Sequence, residues 1–200
     1  MLRKIWEFIK ILAFSLAIIL PIRYFIIQPF YVEGASMEPT FHDHEYLIIN
    51  EIGYRLGKPQ RGDVVVFRYP KDPREFFIKR IIGLPGETVE VKEGGISIYQ
   101  TASSSPTTID ESSYLSDEVK TFSWKDLGYD FYGYQNTEDG KVVLGDRQYY
   151  VLGDNRAASK DSRFFGPVDE SFFVGKVWLR GWPINKAGVF KEINYSNINN

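Results

Sequence analysis

Two stretches, DVVVFRY at residues 63–69 and FFIKRII at residues 76–82, decide the class of fold. They consist mostly of β-branched and aromatic residues, whose side chains pack well on the pleated surface of a sheet. Gly, Pro and Asp residues separate them from each other and from the neighbouring sequence, as they do between strands. We therefore expect both stretches to be strands of a sheet-based domain.

Six further stretches have the same composition. They are EYLIIN (45–50), ETVEV (87–91), ISIY (96–99), KVVL (141–144), QYYVL (148–152) and FFVGKVWL (172–179). No pattern with the 3.6-residue period of a helix persists after the N-terminal segment. The predicted fold class is mainly β, an antiparallel sheet or barrel-like domain. Residues 101–140, Ser/Thr-rich and then aromatic and acidic, are expected to be a segment inserted between strands at the surface.

The N-terminal segment is the longest apolar stretch of the chain. Residues 11–22, ILAFSLAIILPI, carry no charge. Residues 5–22 approach the length of about 20 residues that a helix needs to cross a bilayer, provided that Glu7, Lys10 and Arg23 reach the interfaces. The segment therefore predicts a single N-terminal transmembrane helix.

Two other interpretations of this segment compete. A cleaved signal peptide requires small residues at its cleavage site, whereas PIRYFIIQPFYVEG, residues 21–34, is bulky. A helix in a soluble core is disfavoured by Pro21 and by the lack of a polar face. We therefore expect an uncleaved signal-anchor in the cell membrane. Residues 1–23 are predicted as cytoplasmic tip and transmembrane helix, and residues 24–200 as an extracytoplasmic domain, because Arg3, Lys4 and Lys10 lie before the uncharged stretch.

Composition and charge exclude several classes of function. The chain has 24 Lys and Arg, 26 Asp and Glu, a net charge of −2, two His and no Cys. The lack of a basic surplus speaks against a nucleic-acid partner. The lack of Cys excludes disulfides, Cys-ligated metals and thiol catalysis, and His42 and His44 leave little for a metal site or a His-based triad. We therefore expect no metal and no cofactor.

Ser36, in the segment GASMEPTF at residues 34–41, is a candidate nucleophile. Two small residues before it leave the backbone open to a substrate, and a proline after it prevents a regular strand. A single Ser in a loop is a weak indication, so Ser36 needs a base. His42 and His44 lie too near in sequence to curl back to it and are expected to be ordinary loop residues.

Lys79 is the candidate base. Side chains alternate along a strand, so Lys79 and Arg80 lie on opposite faces, both of which are otherwise apolar. One of the two cations is therefore expected on a buried face. Burial lowers the pKa of a lysine from about 10.4 and yields free amine near neutrality, whereas a guanidinium stays protonated. The alternative is an exposed lysine on an edge strand.

The third element is the loop VLGDNRAASKDSRFFG at residues 151–166. It concentrates carboxylates, guanidinium groups and hydroxyls directly after a predicted strand. Such density predicts a hydrogen-bonded polar network. Taken alone, the network either supports a functional site or merely holds its own loop by ion pairs.

Together these segments resemble the bacterial type I signal peptidases. The resemblance rests on the N-terminal anchor followed, in the family's order, by SMEPT (36–40), RGDVVVF (61–67), IKRIIGLPGE (78–87) and GDNRAASKDSR (153–163). Either of the first two motifs alone is a loose match. The last two motifs following them in order make coincidence implausible.

The resemblance implies a Ser–Lys dyad that needs neither His nor Cys. Ser36 matches the family's nucleophile and Lys79 its general base. Ser159 matches the serine that hydrogen-bonds and orients the lysine amine. The polar residues that hold the family's site together are matched by Asp154, Asp161 and Arg163.

One position departs from the family. Many members carry a Ser or Thr two residues before the nucleophile, whose hydroxyl helps to form the oxyanion hole, and this chain has Gly34 there.

The resemblance further implies an endopeptidase that removes signal peptides from secretory preproteins at a site with small residues at −1 and −3. The expected partners are these preproteins and membrane lipid, and the expected active form is a monomer. A lipid-contacting surface is predicted from Phe30, Tyr31, Met37 and Phe41.

Other classes stay open at this point. A specialised peptidase of the same clan, acting in conjugation or pilus processing, is excluded less firmly by sequence. A catalytically silent, membrane-anchored β-domain acting as an assembly factor would lack the nucleophile or the base, and both Ser36 and Lys79 are present. A self-cleaving, repressor-type Ser–Lys peptidase would carry a DNA-binding module in place of a membrane anchor.

Overall fold

The computed structural model describes residues 2–25, 27–101, 104–123, 137–138, 141–191, 193 and 195. The helices are α1 (Leu2–Phe25), α2 (Gly53–Leu56) and α3 (Ser162–Phe165), and short 3-10 helices lie at Glu170–Phe172 and Ile184–Lys186. The strands are β1 (Ile27–Tyr31), β2 (Tyr46–Asn50), β3 (Val64–Tyr69), β4 (Asp72–Gly83), β5 (Thr88–Lys92), β6 (Gly95–Tyr99), β7 (Thr107–Thr108), β8 (Thr137–Glu138), β9 (Lys141–Val143), β10 (Gln148–Leu152), β11 (Val168–Asp169), β12 (Phe173–Trp182) and β13 (Gly188–Val189).

The strands form two antiparallel sheets. The order in the larger sheet is β1–β2–β12–β3–β4–β10–β11, with β13 paired to β12. The order in the smaller sheet is β7–β6–β5–β9–β8. Every strand pair between described residues is antiparallel. The prediction of a mainly β fold built from antiparallel sheets is therefore confirmed.

All eight predicted stretches form strands, and the differences lie at the ends and in the short pieces. Strand β1 falls in the bulky sequence after the apolar segment, where no strand was expected. Strands β7, β8, β11 and β13 have two residues each, too few to show an alternating pattern. Strand β4 starts before its predicted stretch and includes Pro73. That proline is tolerated because β10 pairs only with the far end of β4, which leaves this edge without a hydrogen-bonding neighbour.

Helix α1 covers the segment predicted to span the membrane. Within the described residues, no helix was found with the combination of length and hydropathy needed to cross a membrane. The signal-anchor, and the division of the chain into residues 1–23 and 24–200, therefore stay predictions.

Strand β4 is covered on both faces at its C-terminal half. Ile81 packs in a cluster with Val65 and Phe67, whereas Ile82 packs in another cluster with Val89. Lys79 is 3% exposed and Arg80 is 0% exposed. Only one of these cations was expected on a buried face. Both are buried, because sheet and loop cover both faces of β4 here.

The predicted lipid-contacting surface near the nucleophile is wrong for two of its four residues. Met37 and Phe41 are 0% exposed and belong to the core cluster that contains Leu47 and Val177. The chain turns after β1, so the apolar side chains that follow Ser36 point into the domain. Tyr31 alone of the four is largely exposed, and Phe30 is half-buried.

The first part of the predicted insertion packs onto the domain. Within residues 104–123, β7 pairs with β6, and Ile109 and Leu115 are buried. Glu111 accepts two hydrogen bonds from the guanidinium of Arg156, in the loop after β10. Residues 102–103, 124–136 and 139–140 of the predicted insertion lie outside the described residues.

Replacing Phe67 by Ala tests the core that supports β4. Phe67 is 0% exposed and contacts the rings of Phe77, Phe165 and Phe173. Removal of its ring leaves a cavity, so we expect the free energy of unfolding to fall by about 3–5 kcal/mol. Urea unfolding measures this loss. The matched control is Phe76→Ala on β4, since Phe76 is 44% exposed and its replacement is expected to change stability by less than about 1 kcal/mol; equal losses would contradict the assignment of Phe67 to the core.

Candidate active site

Ser36 lies in the turn that follows β1. The turn is entered through Gly34, whose φ of +85° is a conformation that glycine adopts without strain. The backbone N–H of Asn155 donates to the carbonyl of Ser36 at 3.1 Å, and the Asn155 side-chain amide donates to the carbonyl of Ala35 at 3.1 Å. The loop after β10 therefore fixes the main chain on both sides of the Ser36 amide.

Lys79 reaches Ser36 from β4. Strand pairing sets Lys79 opposite Val65 of β3, in the centre of the larger sheet. The Nζ atom donates to the Oγ of Ser36 at 2.7 Å and to the carbonyl of Ile78 at 2.7 Å. The two residues named as nucleophile and base are thus brought into direct hydrogen-bonding contact, although 43 positions separate them in the sequence.

Burial changes the acidity of the Lys79 ammonium. Desolvation lowers the pKa of Lys79 from 10.5 to about 8, and the negative charges of Asp161 and Asp154 raise it by a smaller amount. No carboxylate among the described residues forms an ion pair with Nζ. A substantial fraction of neutral amine is therefore present slightly above neutral pH, and a neutral amine can accept the proton of a serine hydroxyl.

Gly153 allows the loop after β10 to approach the dyad. A Cβ on Gly153 would lie 2.1 Å from the Oγ of Ser159 and 2.4 Å from the carbonyl oxygen of Ser36. No side chain fits in that space, so only glycine permits this packing. Ser159 is 3% exposed, and its Oγ makes no hydrogen bond to any described residue. The structure thus brings Ser159 beside Ser36, whereas its hydrogen bond to the Lys79 amine stays a prediction.

Asp154 is fully engaged by Arg80. The guanidinium donates from Nε to Oδ1 at 2.9 Å and from Nη2 to Oδ2 at 2.6 Å, and the side chains of this pair are 0% exposed. The hydroxyl of Thr40 donates to the same carboxylate, and Arg80 Nη1 donates to the carbonyl of Gly62. The pair ties the loop after β10 both to β4 and to the Ser36 turn.

Asp161 and Arg163 form a second engaged pair in the same loop. Arg163 donates from Nε and Nη2 to Asp161 at 2.9 and 2.8 Å, and Asp161 also accepts from the backbone N–H of Gly153 at 3.1 Å. Asp161 further caps helix α3 through the N–H of Arg163. Both carboxylates of this loop are therefore committed to holding it, and neither hydrogen-bonds Ser36 or Lys79.

Gly34 offers no second donor for an oxyanion. Its N–H donates to Oδ1 of Asp43 at 2.8 Å, and a Cβ at this position would meet nothing within 4 Å. The N–H of Ser36 itself donates to no described acceptor. The N–H of Ser36 is therefore an uncommitted backbone donor next to the Ser36 hydroxyl.

An open cleft of about 710 Å³ runs in front of the dyad. One wall is the segment that leads from β1 to Ser36, and the other is the first half of β4. Phe30, Phe76 and Ile78, which are exposed or half-buried, contribute apolar surface to it. Ser36 and Lys79 both line this cleft.

The two histidines interact with carboxylates of their own turn. His42 Nδ1 lies 3.3 Å from Glu38, and His44 lies 3.3 Å from Asp43. Neither ring hydrogen-bonds Ser36 or Lys79 in the part of the chain that the structure describes. This agrees with the interpretation of both as loop residues.

Three residues hold the site through contacts that the sequence did not indicate. Arg80 was identifiable from the alternation along β4, but its partner was not. Asn155 stands in the polar loop without any feature that marks it as the clamp of Ser36. Glu111, which holds Arg156, lies in the inserted segment, where the sequence carries no signal for a contact across 45 positions.

The chain is similar to known proteins over nearly its whole length. The sequence profile of the family described as "Signal peptidase, peptidase S26" matches residues 5–182. Signal peptidase IB of Staphylococcus aureus is 35% identical over 93% of this chain and 94% of its own length. A probable signal peptidase I-2 of Synechocystis is 33% identical over 92% of this chain and 76% of its own length.

A crystal structure of a signal peptidase I from Enterococcus faecalis is 29% identical and covers 60% of this chain and 97% of that chain with a TM-score of 0.41. The assignment rests on the family profile and the two sequence relatives, which span nearly the whole chain. They confirm the resemblance drawn from the four motifs. The chain therefore belongs to the type I signal peptidases of family S26, which are serine peptidases.

Proposed function

We propose that this signal peptidase cleaves preproteins with Ser36 as nucleophile and Lys79 as general base. The observation that carries the proposal is the 2.7 Å hydrogen bond between Lys79 Nζ and Ser36 Oγ in a buried environment where no described carboxylate forms an ion pair with Nζ. A serine hydroxyl is a weak nucleophile until a neighbouring base accepts its proton. The neutral Lys79 amine is the base within reach.

The reaction follows from this contact. Nζ takes the proton of the Ser36 hydroxyl while Oγ attacks the carbonyl carbon of the scissile peptide. The resulting oxyanion accepts a hydrogen bond from the Ser36 N–H, and the Lys79 ammonium returns the proton to the leaving amine. A water molecule then loses a proton to Nζ and attacks the carbonyl carbon of the acyl-enzyme. The bond from that carbon to Oγ breaks as the Lys79 ammonium returns the proton to Ser36 Oγ, and the signal peptide leaves with a new carboxyl group that gives its proton to solvent.

The remaining predicted site residues act by positioning. Asp154 neutralises Arg80, so that the second buried cation of β4 does not stand uncompensated next to Lys79. Asp161 and Arg163 hold the loop that brings Ser159 to the site. The buried hydroxyl of Ser159, which has no partner among the described residues, is available to orient the Lys79 amine.

The substrate site is proposed to accept small side chains at −1 and −3. The support is the apolar surface of the cleft that Phe30, Phe76 and Ile78 form, with Ile78 next to Lys79 in sequence. Since alternate residues of an extended peptide point to the same side, positions −1 and −3 face one wall together.

Residues 1–23 are proposed to anchor the enzyme in the cell membrane, with residues 24–200 on the extracytoplasmic face as a monomer. The support is the sequence pattern together with the surface of α1. Ten large apolar side chains of α1 are exposed, between 43% and 71%: Ile5, Trp6, Phe8, Ile9, Ile11, Leu12, Phe14, Leu16, Ile18 and Ile19. Such a surface has no favourable environment in water but is suited to lipid.

Replacement of either member of the dyad tests the proposed chemistry. We expect Ser36→Ala and Lys79→Met each to lower kcat/KM by about 10³-fold or more, since each removes the activated nucleophile. The assay is cleavage of a preprotein with Ala at −1 and −3 by the full chain in detergent. The matched controls are Ser171→Ala and Lys92→Met at exposed positions, which are expected to cleave at the wild-type rate. Cleavage retained in Lys79→Met would contradict the proposal that Lys79 is the general base.

The pH dependence tests the state of the amine. Because Lys79 must be neutral to accept a proton and its pKa is about 8, kcat/KM is expected to rise about tenfold per pH unit below pH 8 and to level off above it. The measurement is the pH profile of kcat/KM on one peptide between pH 6 and 10. A plateau already reached at pH 6 would assign the base to another group.

The same burial has a cost in stability. Between pH 8 and 10.5 the folded protein binds fewer protons at Lys79 than the unfolded chain does. The contribution of Lys79 to the free energy of unfolding therefore increases as pH rises through that window. We expect Lys79→Met to be more stable than wild type by roughly 1–3 kcal/mol at pH 7, and by less at pH 10. Urea unfolding in detergent at both pH values measures the difference. A Lys79→Met protein that is less stable than wild type at pH 7 would show that the charged amine is well accommodated.

A further inference from the structure

Lys160 is a second cation of the cleft that the proposed chemistry does not use. It follows Ser159 in the loop after β10 and lines the cleft together with Ala158, Phe77 and Lys79. Its side chain is exposed. Lys160 therefore faces the space that the substrate occupies.

Aromatic rings hold the Lys160 ammonium in place. Nζ lies 4.6 Å from the ring centre of Tyr69, 5.2 Å from that of Phe164 and 5.9 Å from that of Phe77. Tyr69 and Phe77 are stacked at 4.5 Å, which makes this support rigid. Cation–π attraction at three rings restricts an otherwise flexible side chain, and a preorganised cation loses less entropy when it binds an anion.

No carboxylate of the described residues pairs with Lys160. The adjacent Asp161 is committed to Arg163 and to the N–H of Gly153. The guanidinium of Arg74, which also lines the cleft, is paired with Asp72 by hydrogen bonds of 2.8 and 2.6 Å. Apart from Lys79 at the base of the cleft, Lys160 is thus the cleft cation that retains its capacity for an anion.

Lys160 stands within reach of a bound substrate near the scissile bond. Nζ of Lys79, which touches Ser36 Oγ, lies 5.5 Å from the centre of the Phe77 ring, and Nζ of Lys160 lies 5.9 Å from the same centre. The distance from Ser36 Oγ to the Lys160 ammonium is therefore at most roughly 14 Å, the length of about four residues of an extended peptide.

We propose that Lys160 is a specificity-determining residue that binds an Asp or Glu side chain of the preprotein within about four residues of the scissile bond. This inference rests on the proposed function of the same cleft. A peptide carboxylate has two sources here, an acidic side chain of the uncleaved substrate and the new C-terminal carboxylate of the released signal peptide. The new carboxylate forms at Ser36 Oγ, where Lys79 Nζ already lies at 2.7 Å, which favours the side chain as the group that Lys160 binds.

The test is a set of peptides with Ala at −1 and −3 that differ at one other position between about −4 and +4, where they carry Asp, Asn or Lys. At one or two neighbouring positions, wild type is expected to cleave the Asp peptide with a kcat/KM about two to five times that of the Asn peptide at low salt. This preference should shrink at 0.5 M salt, since added ions screen an exposed pair.

Variants of Lys160 locate the preference. Lys160→Gln is expected to bring the Asp-to-Asn ratio to about one, Lys160→Glu to favour the Lys peptide, and Lys160→Arg to keep the preference for Asp. The matched control is Lys71→Gln. Lys71 also lies over the Phe164 ring, at 5.7 Å, but is not among the described residues that line the cleft, so Lys71→Gln should leave the ratio unchanged.

Three results would overturn the inference. The first is equal cleavage of Asp and Asn peptides by wild type at every position. The second is a preference that survives in Lys160→Gln. The third concerns inhibition by the released signal peptide, measured with its C-terminus as a free acid and as an amide. If Lys160→Gln weakens inhibition by the free acid alone and leaves the Asp-to-Asn ratio of cleavage unchanged, the carboxylate that Lys160 binds belongs to the product. Cleavage of the neutral peptide by wild type upholds the proposed function in all three cases, whereas no cleavage of any peptide overturns both.

Discussion

A lysine amine kept out of water, 2.7 Å from a serine hydroxyl, is the constraint on which the rest of this site depends. Burying Lys79 on one face of β4 places Arg80 on the other, because side chains alternate along a strand. A guanidinium cannot lose its charge, so Arg80 requires a buried counter-ion, which Asp154 supplies in two-point contact. That pair in turn draws the loop after β10 against β4 and against the turn that carries Ser36.

The loop after β10 brings the carboxylates of Asp154 and Asp161 near the Lys79 amine, and neither forms an ion pair with it. The carboxylates of Asp154 and Asp161 are each paired with an arginine. They raise the pKa of Lys79 only through electrostatic attraction at a distance. A carboxylate in direct contact with Nζ would hold the proton on the amine, whereas burial with no acidic residue nearby would strain the fold each time the amine became charged. The arrangement seen here lies between these extremes, and the pKa of about 8 is its result.

Some of this was accessible from the sequence and some was not. Composition was sufficient for the eight main strands, and motif order was sufficient for Ser36 and Lys79 as a pair. Met37 and Phe41 were predicted to contact lipid, but both are buried in the core. Proximity to Ser36 in the sequence does not determine the direction in which the chain turns after it. The burial of both Lys79 and Arg80 was also missed, since a strand pattern shows that two faces are apolar but not that other elements cover both. The clamp from Asn155 to the Ser36 turn depends on two loops meeting, for which no local pattern exists.

The sequence by itself determined the strands, the family and the chemical types available for catalysis, because these follow from local composition and from residues in a fixed order. Only the tertiary structure decided which cations are buried, which carboxylates are already committed and which donors remain next to Ser36. Those properties depend on distances of a few ångströms between segments more than forty residues apart, such as Lys79 and Ser36 or Arg156 and Glu111. Exclusion of water and pairing of charge are set by what packs around a side chain, and a linear order of residues does not contain that information.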